Sequence, residues 1–86
     1  MSISKTVTIT NSQGLHARPA AELVEALKGF DAAVTINVGE KTADTKSIMS
    51  VLALGATPGS EATVVADGPD AEDAVSAAIA IMVADG

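Results

Sequence analysis

The sequence predicts a two-layer α+β fold in which strands and helices follow the order β-α-β-β-α-β-α. Stretches with an apolar, often β-branched residue at every second position are separated by stretches whose apolar residues recur every three or four positions. Strands of this kind have one apolar face, and helices packed on that face bury it. With 86 residues, the chain is long enough for one domain, spanning 1–86, and too short for two.

The first two elements are predicted from a change of period near residue 17. Apolar residues alternate with polar ones through Ile3, Val7 and Ile9, which indicates a strand. A helix follows over about residues 17–28, and Gly29 is expected to stop it. The apolar stripe of this helix consists of Ala20, Leu23, Val24 and Leu27.

Three strands and a short helix are predicted in the middle of the chain. Alternation indicates strands at 34–38, 41–44 and 62–66, and the turn Gly39-Glu40 suits a type II′ hairpin between the first two. Between the hairpin and the last strand, Ser47 is suited to cap a short helix that ends at Gly55.

The last helix has the clearest pattern. Asp70 can cap its N-terminus, and Glu72 and Asp73 place negative charge in its first turn. Its predicted apolar stripe consists of Val75, Ala78, Ile79, Met82 and Val83.

The composition argues against several classes of function. The formal net charge is −6, the pI is near 4.3 and Phe30 is the only aromatic residue, so the chain lacks the positive charge and stacking surfaces of a nucleic-acid-binding protein. The absence of cysteine excludes disulfides and thiol chemistry, and one histidine is too few for an ordinary zinc site. We therefore expect no metal, no cofactor and no nucleic-acid partner.

No targeting segment is expected. The N-terminal stretch MSISKTVTIT has no positively charged region followed by an apolar run, as a signal peptide would. The longest apolar segment, near residues 74–84, is too short to span a bilayer and is interrupted by Ser76. These features predict a cytoplasmic protein that does not insert into membranes.

His16 is the first candidate for chemistry. It lies between a Gly-containing loop and a predicted helix, so free backbone N–H groups and the helix dipole point toward it and favour negative charge. An imidazole is a nucleophile at neutral pH, and Arg18 offers a guanidinium that can pair with phosphoryl oxygens. A histidine that only caps a helix, beside an arginine that is only a surface charge, is more frequent than a catalytic pair. On these residues alone, this structural interpretation of His16 and Arg18 therefore stays open. A Ser-His-Asp hydrolase is formally open too, although no deep pocket is evident.

Ser47 and the residues after it are the second candidate. Capping is a sufficient structural role for Ser47, but a phosphate there would also be tolerated by the helix N-terminus and by Lys46, and would add a charge of about −2. Ile48, Met49 and Leu52 lie on a helix of two turns, where at least one of them is expected to be exposed. Core packing and partner binding are the alternatives for these side chains.

Two segments resemble the signatures of one family. The segment GLHARPAA at 14–21 closely resembles the active-site signature of HPr, the histidine phosphocarrier family of the bacterial phosphoenolpyruvate-dependent sugar phosphotransferase system. The segment KSIM at 46–49, followed by LG at 54–55, resembles the second signature of the same family. Both occur in the order and at the spacing of the family, and the resemblance covers essentially all 86 residues.

The resemblance implies an HPr-like open-faced β-sandwich with four antiparallel strands and three helices on one face, which agrees with the predicted element order. It also implies that His16 accepts a phosphoryl group at Nδ1 and becomes a phosphohistidine. Arg18 would neutralise that group, and the backbone N–H groups of Ala17 and Arg18 would help to hold it. The implied docking patch consists of Ala21, Ile48, Met49 and Leu52, with Arg18, Lys46 and Lys28 around it.

The implied partners are phosphorylated Enzyme I, as the donor, and the A components of sugar permease complexes, as acceptors. In some lineages a serine kinase, reversed by a phosphorylase, modifies the position that Ser47 matches, which damps transfer through His16 and creates a ligand for transcription regulators. The chain would then be a monomeric carrier without turnover of its own.

Two alternatives stay open. The first is an HPr-like carrier in a regulatory branch, such as a nitrogen-linked or dihydroxyacetone-kinase phosphorelay. The second is a non-catalytic docking module that has kept the fold. The presence of both His16 and Arg18 argues against the second alternative, because docking alone requires neither.

Overall fold

The computed structural model describes residues 2–10 and 17–83, and the elements in this part of the chain follow the predicted order. The strands and helices are β1 (Ser2–Thr8), α1 (Ala17–Leu27), β2 (Ala33–Val38), β3 (Lys41–Asp44), α2 (Ile48–Ala53), β4 (Glu61–Asp67) and α3 (Ala71–Val83). Their boundaries lie close to those that the sequence predicts. Across these residues, no helix combines the length and the hydropathy that crossing a bilayer requires.

The strands form one antiparallel sheet in the order β1-β4-β2-β3. The last strand in sequence, β4, lies inside the sheet and pairs with both β1 and β2. Its residues alternate in burial, with Val64 fully buried and Thr63 partly exposed. On the open face the hydroxyl groups of Thr6 and Thr63 lie 2.9 Å apart in a hydrogen bond. The predicted α+β fold, with one covered face and one open face, is confirmed.

Helices α1 and α3 cover the apolar face of the sheet. Helix α3 contacts β1, β2 and β4 and also packs against α1, while α1 contacts α2. The two long helices bury regular stripes, which are Pro19, Ala20, Leu23, Val24 and Leu27 on α1 and Ala71, Ala74, Val75, Ala78 and Met82 on α3. Because much of this surface is alanine, the helix backbones can lie close to the sheet without leaving voids.

Two details of the helices differ from the sequence prediction. Gly29 follows the end of α1, but it does not take the positive φ typical of a glycine stop, and its N–H instead donates to the carbonyl of Ala26 at 3.3 Å. The helix therefore ends in a tight turn. Val83, predicted to lie on the buried stripe of α3, is 39% exposed, because the stripe ends one residue earlier at Met82.

Asp70 joins the start of α3 to the segment that follows α1. Its carbonyl accepts from the N–H of Ala74 at 2.9 Å, as expected of the residue before a helix. The carboxylate, predicted to cap α3, accepts from the backbone N–H of Asp31 at 2.7 Å, while the N–H of Asp70 donates to the carbonyl of Asp31 at 3.1 Å. Gly68 has a φ of 141° and lies so close to the backbone of Asp31 that a Cβ would meet the carbonyl oxygen of Asp31.

The short helix α2 is fixed at both ends as the sequence predicts. Ser47 is extended, and its Oγ accepts from the N–H of Ser50 at 3.3 Å. The backbone N–H groups of Lys46 and Ser47 donate to the carboxylate and the carbonyl of Asp44, which ties the cap to the end of β3. Gly55 ends the helix with a φ of 60°.

Replacing Gly68 with alanine should destabilise the fold by about 2–3 kcal/mol, because a Cβ there would lie 2.6 Å from the carbonyl oxygen of Asp31 and 2.9 Å from the Cα of Ala32. Gly59→Ala is the matched control, since Gly59 also has a positive φ but its Cβ would meet open space. It should cost only about 1 kcal/mol. The measurement is urea unfolding followed by far-ultraviolet circular dichroism. Equal losses in the two variants would contradict the close approach at Gly68.

Replacing Ser47 with alanine should lower the free energy of unfolding by about 0.5–2 kcal/mol, because the N–H of Ser50 loses its acceptor. Ser47→Asp should retain most of the stability, since aspartate is also a good N-cap. Denaturant titrations of both variants test this. If aspartate destabilises the protein as much as alanine does, capping is not the structural role of Ser47.

Candidate functional site

The predicted nucleophile, His16, lies outside the described residues. The described chain resumes at Ala17, which is the first residue of α1. The first N–H groups of a helix have no acceptor within it, and among the described residues of α1 these belong to Ala17 and Arg18, because Pro19, the third residue, has no N–H. The residues on the C-terminal side of His16 thus supply helix-end donors and the positive end of a helix dipole.

Arg18 lies on the surface of the first turn. Its Nε lies 3.5 Å from Oε1 of Glu22, one turn further along α1, and both side chains are more than half exposed. Exposed ion pairs of this kind contribute at most about 1 kcal/mol. The guanidinium can therefore leave Glu22 for an incoming phosphoryl group at little energetic cost.

Ser47 is exposed at the N-terminus of α2, beside the exposed Lys46. Its Oγ is used as an acceptor for the N–H of Ser50, so the hydroxyl is held at the surface in one position. The capping role that the sequence predicts is present, and an exposed hydroxyl is also a prerequisite for modification.

Helix α2 has apolar side chains that are exposed as well as apolar side chains that are buried in the core. Met49 is 74% exposed and Ile48 is 40% exposed, whereas Val51 is fully buried. Leu52 is partly buried, and Ala21 on the neighbouring helix α1 is exposed. We name Ala21, Ile48, Met49 and Leu52 the apolar patch. Large exposed apolar side chains of this kind are typical of interaction surfaces.

Lys28 lies at the opposite end of α1 from Arg18. It follows the C-terminal end of α1, about 15 Å along the helix axis from Arg18, given a rise of about 1.5 Å per residue. Its Nζ lies 3.3 Å from Oε2 of Glu25. Of the cations implied around the patch, Lys28 is therefore far from the end of α1 that carries Arg18.

Sequence reasoning did not anticipate a cavity of about 660 Å³ at this second end of α1. The residues that line it are Val24, Leu27, Lys28, Phe30, Asp31, Ala32, Ala33, Thr45, Lys46 and Asp67. One signal was available, because Phe30 is the only aromatic residue of the chain, and Asp31 and then two alanines follow it, so no large side chain fills the space after the ring in sequence. Within the described ranges, no three acidic, histidine or cysteine side chains are arranged to hold a metal ion.

The chain matches the family model described as the PTS HPr component phosphorylation site over residues 3–84. It is 42% identical over 78 residues to the phosphocarrier protein HPr of Vibrio cholerae, covering 91% of this chain and 92% of that protein. It is 43% identical over 82 residues to the phosphocarrier protein NPr of Escherichia coli, covering 94% and 91%.

The fold is also similar to that of a solved structure. The crystal structure of the phosphocarrier protein HPr from Bacillus anthracis superposes with a TM-score of 0.89 at 37% sequence identity, covering 94% of this chain and 96% of that one. The family match includes nearly all of the chain. The chain therefore belongs to the HPr family of phosphocarrier proteins.

Proposed function

We propose that the chain carries a phosphoryl group on Nδ1 of His16, accepts it from phosphorylated Enzyme I and passes it to the A components of sugar permeases. The observation that carries the proposal is the family match over residues 3–84 of a chain with the GLHARPAA motif at the start of α1. We further propose that residues 1–86 form one domain, which acts as a monomer in the cytoplasm.

The proposed reaction moves one phosphoryl group. The lone pair on Nδ1 of His16 attacks the phosphorus, and the bond between phosphorus and the leaving atom of the donor breaks as the Nδ1–P bond forms. The same phosphorus is later attacked by the acceptor, and the electron pair returns to Nδ1. A carrier must release its phosphoryl group readily to the acceptor. A solvent-accessible surface site therefore suits it better than a buried pocket that binds the group tightly.

Residues of the first turn of α1 are proposed to hold the phosphoryl oxygens. The N–H groups of Ala17 and Arg18 are donors without acceptors inside the helix, and the helix dipole favours the added negative charge. The Arg18 guanidinium leaves its ion pair with the Glu22 carboxylate and pairs with the phosphoryl oxygens, because the phosphoryl group carries more negative charge than one carboxylate.

The apolar patch is proposed to dock each partner in turn. Its exposed Met49 side chain is unbranched and adapts to partner surfaces of different shape. Arg18 and Lys46, both exposed, would contact acidic residues of the partner, although the chain as a whole is acidic. Contacts of this modest size are expected to be transient.

Ser47 is proposed as a regulatory phosphorylation site for a serine kinase and phosphorylase, with transcription regulators as readers of the phosphorylated form. The hydroxyl is exposed and directly precedes Ile48 in the apolar patch. A phosphate there would add a charge of about −1.5 to −2 beside the patch and repel acidic partners.

A regulatory relay is the second candidate function, and one observation favours it. The chain is 43% identical to NPr of Escherichia coli, which is as high as its 42% identity to HPr of Vibrio cholerae. The two functions differ in the partners and not in the proposed chemistry at His16. A docking module without phosphotransfer is a third candidate, which the assay below also tests.

Incubation of the purified chain with phosphoenolpyruvate, magnesium and Enzyme I should add one phosphoryl group, seen by intact-mass analysis. The group should be lost in acid, stable in base and absent from His16→Ala, because phosphoramidate bonds break when the nitrogen is protonated. Failure of both the sugar-system Enzyme I and the nitrogen-branch Enzyme I from the same cell to phosphorylate the chain would contradict the carrier function. Phosphorylation by only one of them identifies the branch.

In the same assay, Arg18→Ala should slow transfer about tenfold to a hundredfold, the loss expected of one charge-assisted hydrogen bond. Lys5→Ala on β1 is the control, since it removes the same charge from an exposed site on another element. Unfolding of Arg18→Ala would show that Arg18 is structural, and an equal rate for the two variants would show that Arg18 does not contact the phosphoryl group.

Replacing Met49 with glutamate should weaken partner docking at least tenfold and change the free energy of unfolding by less than about 0.5 kcal/mol, because the side chain is exposed. Ala53→Glu is the matched control, since Ala53 is exposed on the same helix outside the apolar patch. Docking is measured as the KM for transfer from Enzyme I. A large stability loss in Met49→Glu, or the same KM in both variants, would remove Met49 from the docking surface.

A further inference from the structure

The cavity at the C-terminal end of α1 has the size and the walls of a small-molecule site. Its volume, about 660 Å³, lies within the range of roughly 300–1,000 Å³ found for ligand sites. One wall is apolar and consists of the buried Val24 and Leu27 with the half-buried ring of Phe30. Thr45 closes another side, and its hydroxyl already donates to the carbonyl of Val34, so it adds no unpaired polar group.

Among the charged residues that line this cavity, Lys46 and Asp31 have opposite charges and no ion pair within the part of the chain that the structure describes. Lys46 and Asp31 both border it, yet no ion pair within 4 Å joins their side chains to each other or to any other residue that the structure describes. Lys28, a second cation at the rim, makes only an exposed pair with Glu25. Asp67 also borders the cavity but has an interaction of its own, so we assign it no part in binding.

The carboxylate of Asp31 has no structural task that explains it. The contacts by which Asp31 holds the start of α3 use its backbone, because its N–H donates to the Asp70 carboxylate and its carbonyl accepts from the Asp70 N–H. An asparagine would make the same two bonds. A carboxylate and an ammonium group that border one cavity, with no ion pair to another described residue, are groups that a ligand with both charges would bridge.

We propose that this cavity binds a free α-amino acid with an apolar side chain. The ligand carboxylate pairs with Lys46, its ammonium group pairs with Asp31, and its side chain lies against the ring of Phe30. Lys28 supplies a second cation near the carboxylate when it leaves Glu25. The proposal does not rest on phosphotransfer at His16, although Lys46, which borders the cavity, is also proposed above to contact partners.

The charges select against other small molecules. A phosphate ester or a dicarboxylate would place negative charge near Asp31, and a simple amine would leave Lys46 without a partner. A nucleotide is disfavoured because its phosphates carry several negative charges, whereas the cavity offers one aromatic ring and one unpaired cation. An amino acid satisfies both charges and leaves its apolar part for the wall of Val24, Leu27 and Phe30.

The test is a titration of the full chain with L-leucine, followed by amide proton–nitrogen correlation spectra. We expect shifts at the cavity residues and a dissociation constant on the order of 1 mM, as is reasonable for a ligand of this size. Isocaproate, which lacks the ammonium group, and isopentylamine, which lacks the carboxylate, should bind at least tenfold more weakly. Leucine binding no tighter than either analogue would overturn the proposal.

Matched variants locate the site. Lys46→Gln and Asp31→Asn should each weaken leucine binding at least tenfold, and Asp31→Asn keeps both backbone bonds to Asp70, so it should fold normally. Lys5→Gln on β1 is the control and should bind leucine unchanged. Undiminished binding in both cavity variants, or shifts confined to residues outside the cavity, would overturn the assignment.

Discussion

The close packing of α3 on the centre of the sheet is the constraint on which the rest of the structure depends. The strand β4 pairs on both sides, and its inward residues include the fully buried Ala62 and Ala66. Helix α3 meets the sheet and α1 with alanines that are equally buried, such as Ala74 and Ala78. Small residues on both surfaces bring the backbones close, and any enlargement would push the layers apart. Helix α1 then packs against α3, which sets the position of its N-terminal turn and of Arg18.

The contact between Asp31 and Asp70 also fixes the position of α1 relative to α3, at the end where α1 finishes and α3 begins. Two hydrogen bonds hold the segment after α1 to the start of α3, and Gly68 lies against the carbonyl of Asp31. The same contact fixes one rim of the cavity, because Asp31 and Phe30 belong to this segment. The two ends of α1 are thus used differently, one beside the proposed phosphoryl site and one beside the cavity.

Much of the fold could be predicted because local patterns and tertiary packing agree. The turn at Gly39-Glu40, the cap at Ser47 and the stop at Gly55 each depend on a few neighbouring residues, and the structure has all three. Predictions that depend on distant residues were less exact. The carboxylate of Asp70 bonds to Asp31, which is remote in sequence, and Val83 lies beyond the end of the packed stripe. For the site, exposure of at least one of Ile48, Met49 and Leu52 was expected, and Ile48 and Met49 are exposed. The cavity was not foreseen, because its walls come from three separate segments of the chain.

The two edge strands of the sheet restrict how other proteins can approach the molecule. The edges are β1, whose exposed residues are polar and include Lys5, and the four-residue strand β3, which begins with the exposed Lys41. Short or polar edges with lysine are poor templates for adding a strand. These edges therefore disfavour a continuous backbone ladder with another protein, which agrees with the proposed docking through side chains of the helices. A small contact area favours a short residence time, which in the proposed function would allow one carrier molecule to visit donor and acceptor in rapid succession.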